Sequence, residues 1–179
     1  IMQLSDTHFL EDGVAPEGGV AYNTGEAFDA VFNHIGDHSA LDMVVVTGDV
    51  ADHGRAAEYR KAADAFSRFE VPVNVCPGNH DVDAVFSSGM ARPRVSTSRV
   101  VEVGAWSFLF VDSSAGSMLD HESGLRVDPP GETRLHTQGT LGQREAAWVN
   151  QMCETTNAAH VFVWVHHPPE PPVPMCRDD

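Results

Sequence analysis

Short runs of apolar residues recur along the chain, and each is followed directly by a polar segment. Four of these runs have the length and the composition of buried strands, at residues 2–5, 43–47, 73–76 and 161–165. Apolar residues at helical spacing lie between them, over about 24–38, 56–69 and 141–156. Asn23 is a favourable N-cap for the first of these helices, with Glu26 three residues later. Alternating strands and helices predict an α/β fold in one domain.

The chain between the third and fourth runs has a different pattern. Apolar residues over 100–103 and 106–112 flank Gly104-Ala105, which predicts a β-hairpin with a two-residue turn. Trp106, Phe108 and Phe110 alternate, so we expect them on one strand face in the core. In the helix over 141–156, we expect three side chains to point inward: Trp148, Val149 and Met152.

Three segments lack a regular period. These are a Gly-rich loop over 11–21, a Gly-, Pro- and Ser-rich loop over 113–140, and a Pro-rich tail over 168–174. A loop as long as 113–140 is usually functional or mobile. The prolines of the tail exclude a helix or a central strand there.

Residues with metal-binding side chains follow each of the four strand-like runs. They form the segments Asp6-Thr7-His8, Gly48-Asp49, Gly78-Asn79-His80-Asp81 and His166-His167. Because the carboxyl ends of parallel strands share one edge of a sheet, we expect these segments to converge. Carboxylate, amide and imidazole ligands suit two hard or borderline divalent ions. The sequence therefore predicts one metal site divided over four strand ends.

The local spacing assigns provisional positions within this site. Asp6 and His8 are two residues apart, so on an extended strand end both side chains would face the same way. Asp49 follows a glycine, which would allow close approach of backbone and metal. Asp49 is the natural candidate for a carboxylate that bridges two ions.

The charge of the chain narrows the classes of partner. The formal net charge is -15, which excludes nucleic-acid binding through a basic surface. Two divalent ions, offset by Asp6 and Asp49, would leave the site locally positive and able to bind a phosphate ester. Such ions lower the pKa of bound water from 15.7 to about 7, so a bridging hydroxide could attack phosphorus in line.

The remaining composition favours an ordinary intracellular protein. The chain has 179 residues, of which 42% are hydrophobic, enough for one domain with a real core. No apolar run reaches the roughly 20 residues of a membrane span. Three cysteines without a Cys-x-x-Cys spacing favour a reducing cytoplasm over a disulfide framework. Homo-oligomerisation is left open.

The ordered series Asp6-Thr7-His8, Gly48-Asp49, Gly78-Asn79-His80-Asp81 and His166 resembles the calcineurin-like metallophosphoesterases. Ser5 to Phe9 and His166-His167-Pro168-Pro169 are similar to the branch that contains class III cyclic-nucleotide phosphodiesterases and glycerophosphodiesterases. The resemblance implies a four-layer αββα sandwich with a dinuclear Mn, Fe or Zn centre.

The resemblance also implies roles for individual residues. Asp6, His8 and Asp49 would hold the first metal, and Asp49, Asn79 and His166 the second. His80 would stabilise the phosphoryl transition state or protonate the leaving oxygen, and Asp81 would orient His80.

The sequence departs from this family in one respect. The family carries a further Gly-His-x-His motif after the His-His-Pro-Pro segment, and no such motif occurs before Asp179. The chain also opens directly on a strand. We therefore expect a domain over 1–179 that lacks its C-terminal part, including much of the second sheet, and that binds metal loosely on its own.

Several alternatives stay open. Cyclic nucleotides and glycerophosphodiesters are the expected substrates, but a phosphomonoesterase or protein phosphatase on the same fold fits the motifs. So does a non-catalytic domain that binds metal or a partner. His167 could support a ligand or face substrate, and Asp112-Ser113-Ser114 could line the cleft or form a turn.

Overall fold

The computed structural model describes residues 1–12, 22–81, 83–114 and 141–168. Most of the three aperiodic segments (11–21, 113–140 and 168–174) lies outside these residues. The elements are, in order, β1 (Met2–Leu4), α1 (Thr24–Ile35), β2 (Val44–Thr47), α2 (Ala56–Phe66), β3 (Val73–Cys76), α3 (Asp83–Gly89), β4 (Val95–Ser96), β5 (Val100–Val103), β6 (Trp106–Phe110), α4 (Gly142–Thr155) and β7 (His160–Trp164). This mixture of helices and strands confirms the predicted α/β class.

The strands form two sheets. The first is parallel, in the order β1-β2-β3-β4, and Leu4 pairs with Val46, which in turn pairs with Val75. In the second sheet β5 and β6 form the predicted antiparallel hairpin, and β7 runs parallel to β6. This register brings the carboxyl ends of β1, β2 and β3 to the same edge.

Two apolar clusters hold the layers together, because side chains alternate across a strand. Val44 and Val46 of β2 face a cluster rich in aromatic residues from α1, α2 and α3. Val45 faces the other way, into a second cluster with Phe108 and Phe110 of β6. The two sheets therefore pack face to face, with helices outside the first sheet, as in the predicted sandwich.

Some element boundaries differ from the sequence-based prediction. Helix α1 ends at Ile35 and not near His38, because Gly36 adopts a left-handed φ of 68° and caps the helix. Helix α2 ends at Phe66, three residues early. Asn23 is the N-cap of α1 as predicted, and its Oδ1 accepts from the backbone N–H groups of Gly25 and Glu26.

The burial predictions were right for two of the three alternating aromatic residues. Phe108 and Phe110 are buried, but Trp106, expected in the core, is 43% exposed at the start of β6. The inward residues predicted for α4 are half-buried, and none of its side chains is fully buried. None of the described helices combines the length and apolar character of a membrane-spanning segment.

Candidate metal centre

Left-handed backbone turns present three of the predicted ligands. Asp6, His8 and Asp49 have φ values of 56°, 41° and 50°. Each such residue other than glycine costs roughly 1–3 kcal/mol and is typical of functional sites. Strand β1 ends at Leu4, so the prediction that Asp6 and His8 lie on an extended strand end was wrong. Two backbone hydrogen bonds hold these turns against the segment that follows β2. Asp6 N donates to Gly48 O, and His8 N donates to Asp49 O.

Two glycines allow the strand ends to approach each other closely. A Cβ atom at Gly48 would lie 2.8 Å from the backbone of Gly78 and from Cβ of His166. A Cβ atom at Gly78 would lie 2.2 Å from Oδ1 of Asp49. No real Cβ tolerates such distances, so both positions require glycine. The two glycines thus allow the strand ends to come together, whereas the close approach of a metal at Gly48 stays a prediction.

Asp49 lies at the centre of the converging side chains. Its Oδ2 is 3.6 Å from Nε2 of His8 and 3.3 Å from Nε2 of His166. Asn79 Oδ1 is 3.1 Å from the same His166 nitrogen, and Asp6 Oδ1 is 4.0 Å from Nε2 of His8. The structure thus brings together all five predicted metal ligands. One carboxylate oxygen lies between two imidazoles, as a bridging ligand requires.

The two histidines predicted to be ligands, His8 and His166, are oriented by hydrogen bonds at their Nδ1 atoms. His166 Nδ1 lies 2.8 Å from the carbonyl oxygen of Thr47, which can only accept, so Nδ1 donates. His8 Nδ1 donates to Oδ1 of Asp52 over 3.1 Å. Each Nε2 atom is then left facing Asp49. Metal-binding histidines in proteins are usually anchored in this way.

The central pair is strongly polarised when no metal intervenes. Burial opposes ionisation of Asp49, but hydrogen bonds from His166 and from the backbone N–H of His80 outweigh it and lower its pKa to about 2. Burial likewise opposes protonation of His166, but the hydrogen bond and charge of Asp49 raise its pKa to about 9. In the metal-free protein a proton is therefore held between His166 Nε2 and Asp49 Oδ2.

His80 lies beside the ligands but is held by a different residue. Its Nδ1 donates to the backbone oxygen of Asp52 over 2.7 Å, and the Asp52 carboxylate is 4.0 Å away. Its ring meets that of His8 edge to face, with centroids 4.7 Å apart. Nδ1 of His80 is therefore engaged by the segment that follows β2.

Asp81 holds the turn that carries His80. Its buried carboxylate accepts backbone N–H groups from Gly78 at 2.8 Å and from Val50 and Ala51 at 3.2 Å. Burial raises its pKa to about 6, although these hydrogen bonds act in the opposite direction. Asp81 thus joins the ends of β2 and β3, and its predicted role in orienting His80 stays a prediction.

The sequence reasoning missed Asp52. Among the described residues, two compact groups of possible metal-binding atoms each lie within 4.8 Å: Asp6, Asp49 and His166, and His8, Asp52 and His80. Asp52 anchors both histidines of the second group. The sequence did offer a signal for Asp52, because this second carboxylate lies only three residues after Asp49.

His167 and Ser113 connect the ends of β6 and β7. Ser113 Oγ donates to His167 Nδ1 over 2.8 Å and accepts from the backbone N–H of His167 at 3.1 Å. Both side chains are buried. This pair supports the segment that carries His166, and it favours the supporting role over the substrate-facing one for His167.

The residues fit a pair of divalent ions. Carboxylate, amide and imidazole donors converge on one buried carboxylate oxygen, and hard or borderline cations prefer such a set. The strained turns and glycine contacts have no evident purpose in packing alone. The described residues at the centre include no Lys or Arg side chain to balance Asp6 and Asp49.

Comparisons with known proteins agree with this geometry. A sequence model of the calcineurin-like phosphoesterase family matches residues 1–178. The chain is 27% identical, over 173 residues, to the 3',5'-cyclic adenosine monophosphate phosphodiesterase CpdA of Escherichia coli K12. It is 28% identical, over 178 residues, to the glycerophosphodiester phosphodiesterase GpdQ of Enterobacter lignolyticus. Each match covers 96% of this chain but only 56% and 57% of the relative, respectively.

Proposed function

Because the chain belongs to the calcineurin-like phosphoesterase family, we propose that the protein of which it is part or whole hydrolyses phosphodiesters with two divalent metal ions. Cyclic nucleotides and glycerophosphodiesters are the proposed substrates, since the relatives named above are phosphodiesterases for these two classes. Mn, Fe or Zn would suit the mixed oxygen and nitrogen ligands.

One observation carries the proposal. Asp49 Oδ2 lies between Nε2 of His8 and Nε2 of His166, 3.6 Å from the first and 3.3 Å from the second. Asp49 would therefore be the carboxylate shared by two neighbouring ions. Asp6 and His8 complete one set of ligands, and Asn79 and His166 complete the other.

The ligands also determine how charge is balanced. When bound, two divalent ions neutralise the phosphoester and activate water for attack on phosphorus. Asp6 and Asp49 are the only ionised ligands in the proposed set, because Asn79, His8 and His166 bind as neutral groups. With both ions bound, the site would carry a net positive charge, although the formal charge of the whole chain is -15. Attraction of an anionic phosphodiester therefore depends on the metals.

His80 is the proposed proton donor to the leaving oxygen. Its Nδ1–H already donates a hydrogen bond to the backbone oxygen of Asp52, so the proton to be transferred would be the one on Nε2. The Asp52 carboxylate lies 4.0 Å from Nδ1. Asp81 contributes by fixing the turn from Gly78 to His80, which sets where that proton is delivered.

The direct test is hydrolysis of bis(p-nitrophenyl) phosphate by the purified, metal-free protein before and after addition of Mn²⁺. We expect hydrolysis only with metal, and less of it with p-nitrophenyl phosphate, because that monoester lacks the second organic group. A protein that binds Mn²⁺ but hydrolyses neither compound would be a binding domain. Faster turnover of the monoester would instead indicate a phosphomonoesterase. Cyclic AMP and a glycerophosphodiester, assayed side by side, then select the substrate class.

A further inference from the structure

A hollow of about 240 Å³ adjoins the metal centre on the side of α1. Asp6 and His8 form one of its walls, so the hollow and the centre share a boundary. Pockets that enclose a whole ligand usually measure about 300–1,000 Å³. This hollow is therefore suited to one part of a ligand whose remainder lies at the metals.

Several of the other residues that line the hollow are apolar, and two of them are partly exposed. Tyr22 is 52% exposed and Val31 48% exposed, while Phe28 is buried. Large apolar side chains that flank one hollow beside a reactive centre indicate a binding surface more strongly than scattered ones do. A ring placed between Tyr22 and Val31 would remove apolar surface of both from water.

Two hydroxyl groups in the lining are already engaged in hydrogen bonds to the backbone. Thr7 Oγ1 donates to the backbone oxygen of Val50, and Thr24 Oγ1 accepts from the backbone N–H of Leu10. None of the described residues that line the hollow is Lys or Arg. A second phosphate or another anion would therefore find no counter-charge here, whereas an uncharged ring would lose little hydration.

We infer that this hollow, the Tyr22 hollow, is the subsite for an uncharged aromatic ring attached to the substrate's phosphoryl group. The inference rests on the proposed function, because it requires the phosphoryl group at the Asp49 centre. A nucleobase and an aryl ester share this ring chemistry, whereas glycerol lacks it. The Tyr22 ring stacks on the planar group, and Val31 and Phe28 contact its edge.

The test compares two non-hydrolysable ligands of the Mn²⁺-loaded protein, phenylphosphonate and methylphosphonate. Both present the same charged group to the metals, and only the first carries a ring. Calorimetry gives both dissociation constants, so the readout does not depend on turnover. We expect phenylphosphonate to bind about tenfold more tightly, as burial of roughly half a ring would give.

Substitutions locate the ring. Tyr22→Ala and Val31→Ser should each bring the affinity ratio of the two ligands close to one, while Tyr22→Phe should keep it. Val103→Asp is the matched control, because Val103 is also exposed but lies at the far end of the second sheet, and its ratio should stay as in the wild type.

The other outcomes would contradict either the subsite or the proposed function. Equal affinity of the wild-type protein for both phosphonates overturns the subsite and leaves the proposed function standing. A ratio that survives both Tyr22→Ala and Val31→Ser places the ring elsewhere and also overturns it. Failure of the Mn²⁺-loaded protein to bind either phosphonate overturns the proposed function and the subsite with it.

Discussion

His8 Nδ1 donates a hydrogen bond to Oδ1 of Asp52 over 3.1 Å, and this contact turns the opposite ring nitrogen of His8 toward the metal centre. This hydrogen bond connects the segment that follows β1 with the segment that follows β2. A carboxylate in this position fixes the orientation of the ring. We therefore expect Asp52 to influence metal binding without being one of the proposed ligands.

The first prediction concerns Asp52. We expect Asp52→Ala to weaken Mn²⁺ binding about 10- to 100-fold at the ion held by Asp6 and His8. Asp52→Asn should lose less, because its amide oxygen can still accept from His8. Calorimetric titration measures both. Asp64→Ala is the control, since Asp64 is 66% exposed and pairs with Arg92. Normal affinity in Asp52→Ala would show that His8 is oriented by something else.

A second prediction concerns the shared carboxylate. Asp49→Ala should lower turnover more than any other single ligand substitution, because Asp49 faces both His8 and His166. We expect both ions to be lost. Metal content and kcat, measured in parallel, check this, with Asp29→Ala as a surface control because Asp29 is 53% exposed. Two retained ions with near-normal turnover would exclude the bridging role.

We expect His80→Ala to lower turnover without removing metal. Turnover should fall about 10²- to 10⁴-fold, the usual contribution of a general acid or base, while metal content stays close to normal. His34→Ala, on the exposed face of α1, should change neither quantity. Loss of a metal ion from His80→Ala would make His80 a ligand and refute its proposed role.

Asp81 provides a prediction about stability. Asp81→Ala would leave three buried backbone N–H groups, of Val50, Ala51 and Gly78, without their acceptor. We expect the free energy of unfolding to fall by about 3 kcal/mol or more, and by less in Asp81→Asn, which keeps one oxygen. Urea titration in the presence of a chelator measures this. A loss below about 1 kcal/mol for Asp81→Ala would contradict this role.

The cysteines should differ in reactivity. Burial raises the pKa of the Cys76 thiol to about 12, so at pH 8 about one molecule in ten thousand carries the reactive thiolate. Cys153 is exposed on α4. Iodoacetamide should label Cys153 in the native protein and Cys76 only after denaturation, as peptide mass spectrometry can show. Rapid native labelling of Cys76 would mean that the space between the sheets opens readily.

The general position of the site could be predicted because it depends on simple regularities. Buried strands have apolar runs, parallel strands end at one edge, and Asp6, Asp49, Asn79 and His166 each follow such a run. The close contact between Gly48 and Gly78 follows from the same convergence, because both glycines lie just after neighbouring parallel strands. Helix α3, with seven residues, and strand β4, with two, were missed because elements this short lack a measurable period.

Asp52 and the turns at Asp6 and His8 could not be predicted in the same way. The apolar pattern carries no information about φ, and an extended strand end was the simplest assumption for the segment from Asp6 to His8. The role of Asp52 depends on which ring nitrogen of His8 and His80 faces away from the centre. Only the three-dimensional arrangement fixes that choice.

The left-handed backbone at Asp6, His8 and Asp49 has a consequence for how such a protein can change over time. Glycine at the exposed Asp6 would relieve roughly 1–3 kcal/mol of backbone strain, whereas glycine at Asp49 or His8 would also remove their contacts with His166 and Asp52. We therefore expect the metal-free fold to gain stability from the loss of Asp6 but not from the loss of Asp49. In a lineage that no longer needs catalysis, Asp6 should be replaced before Asp49, and the fold would outlast its chemistry.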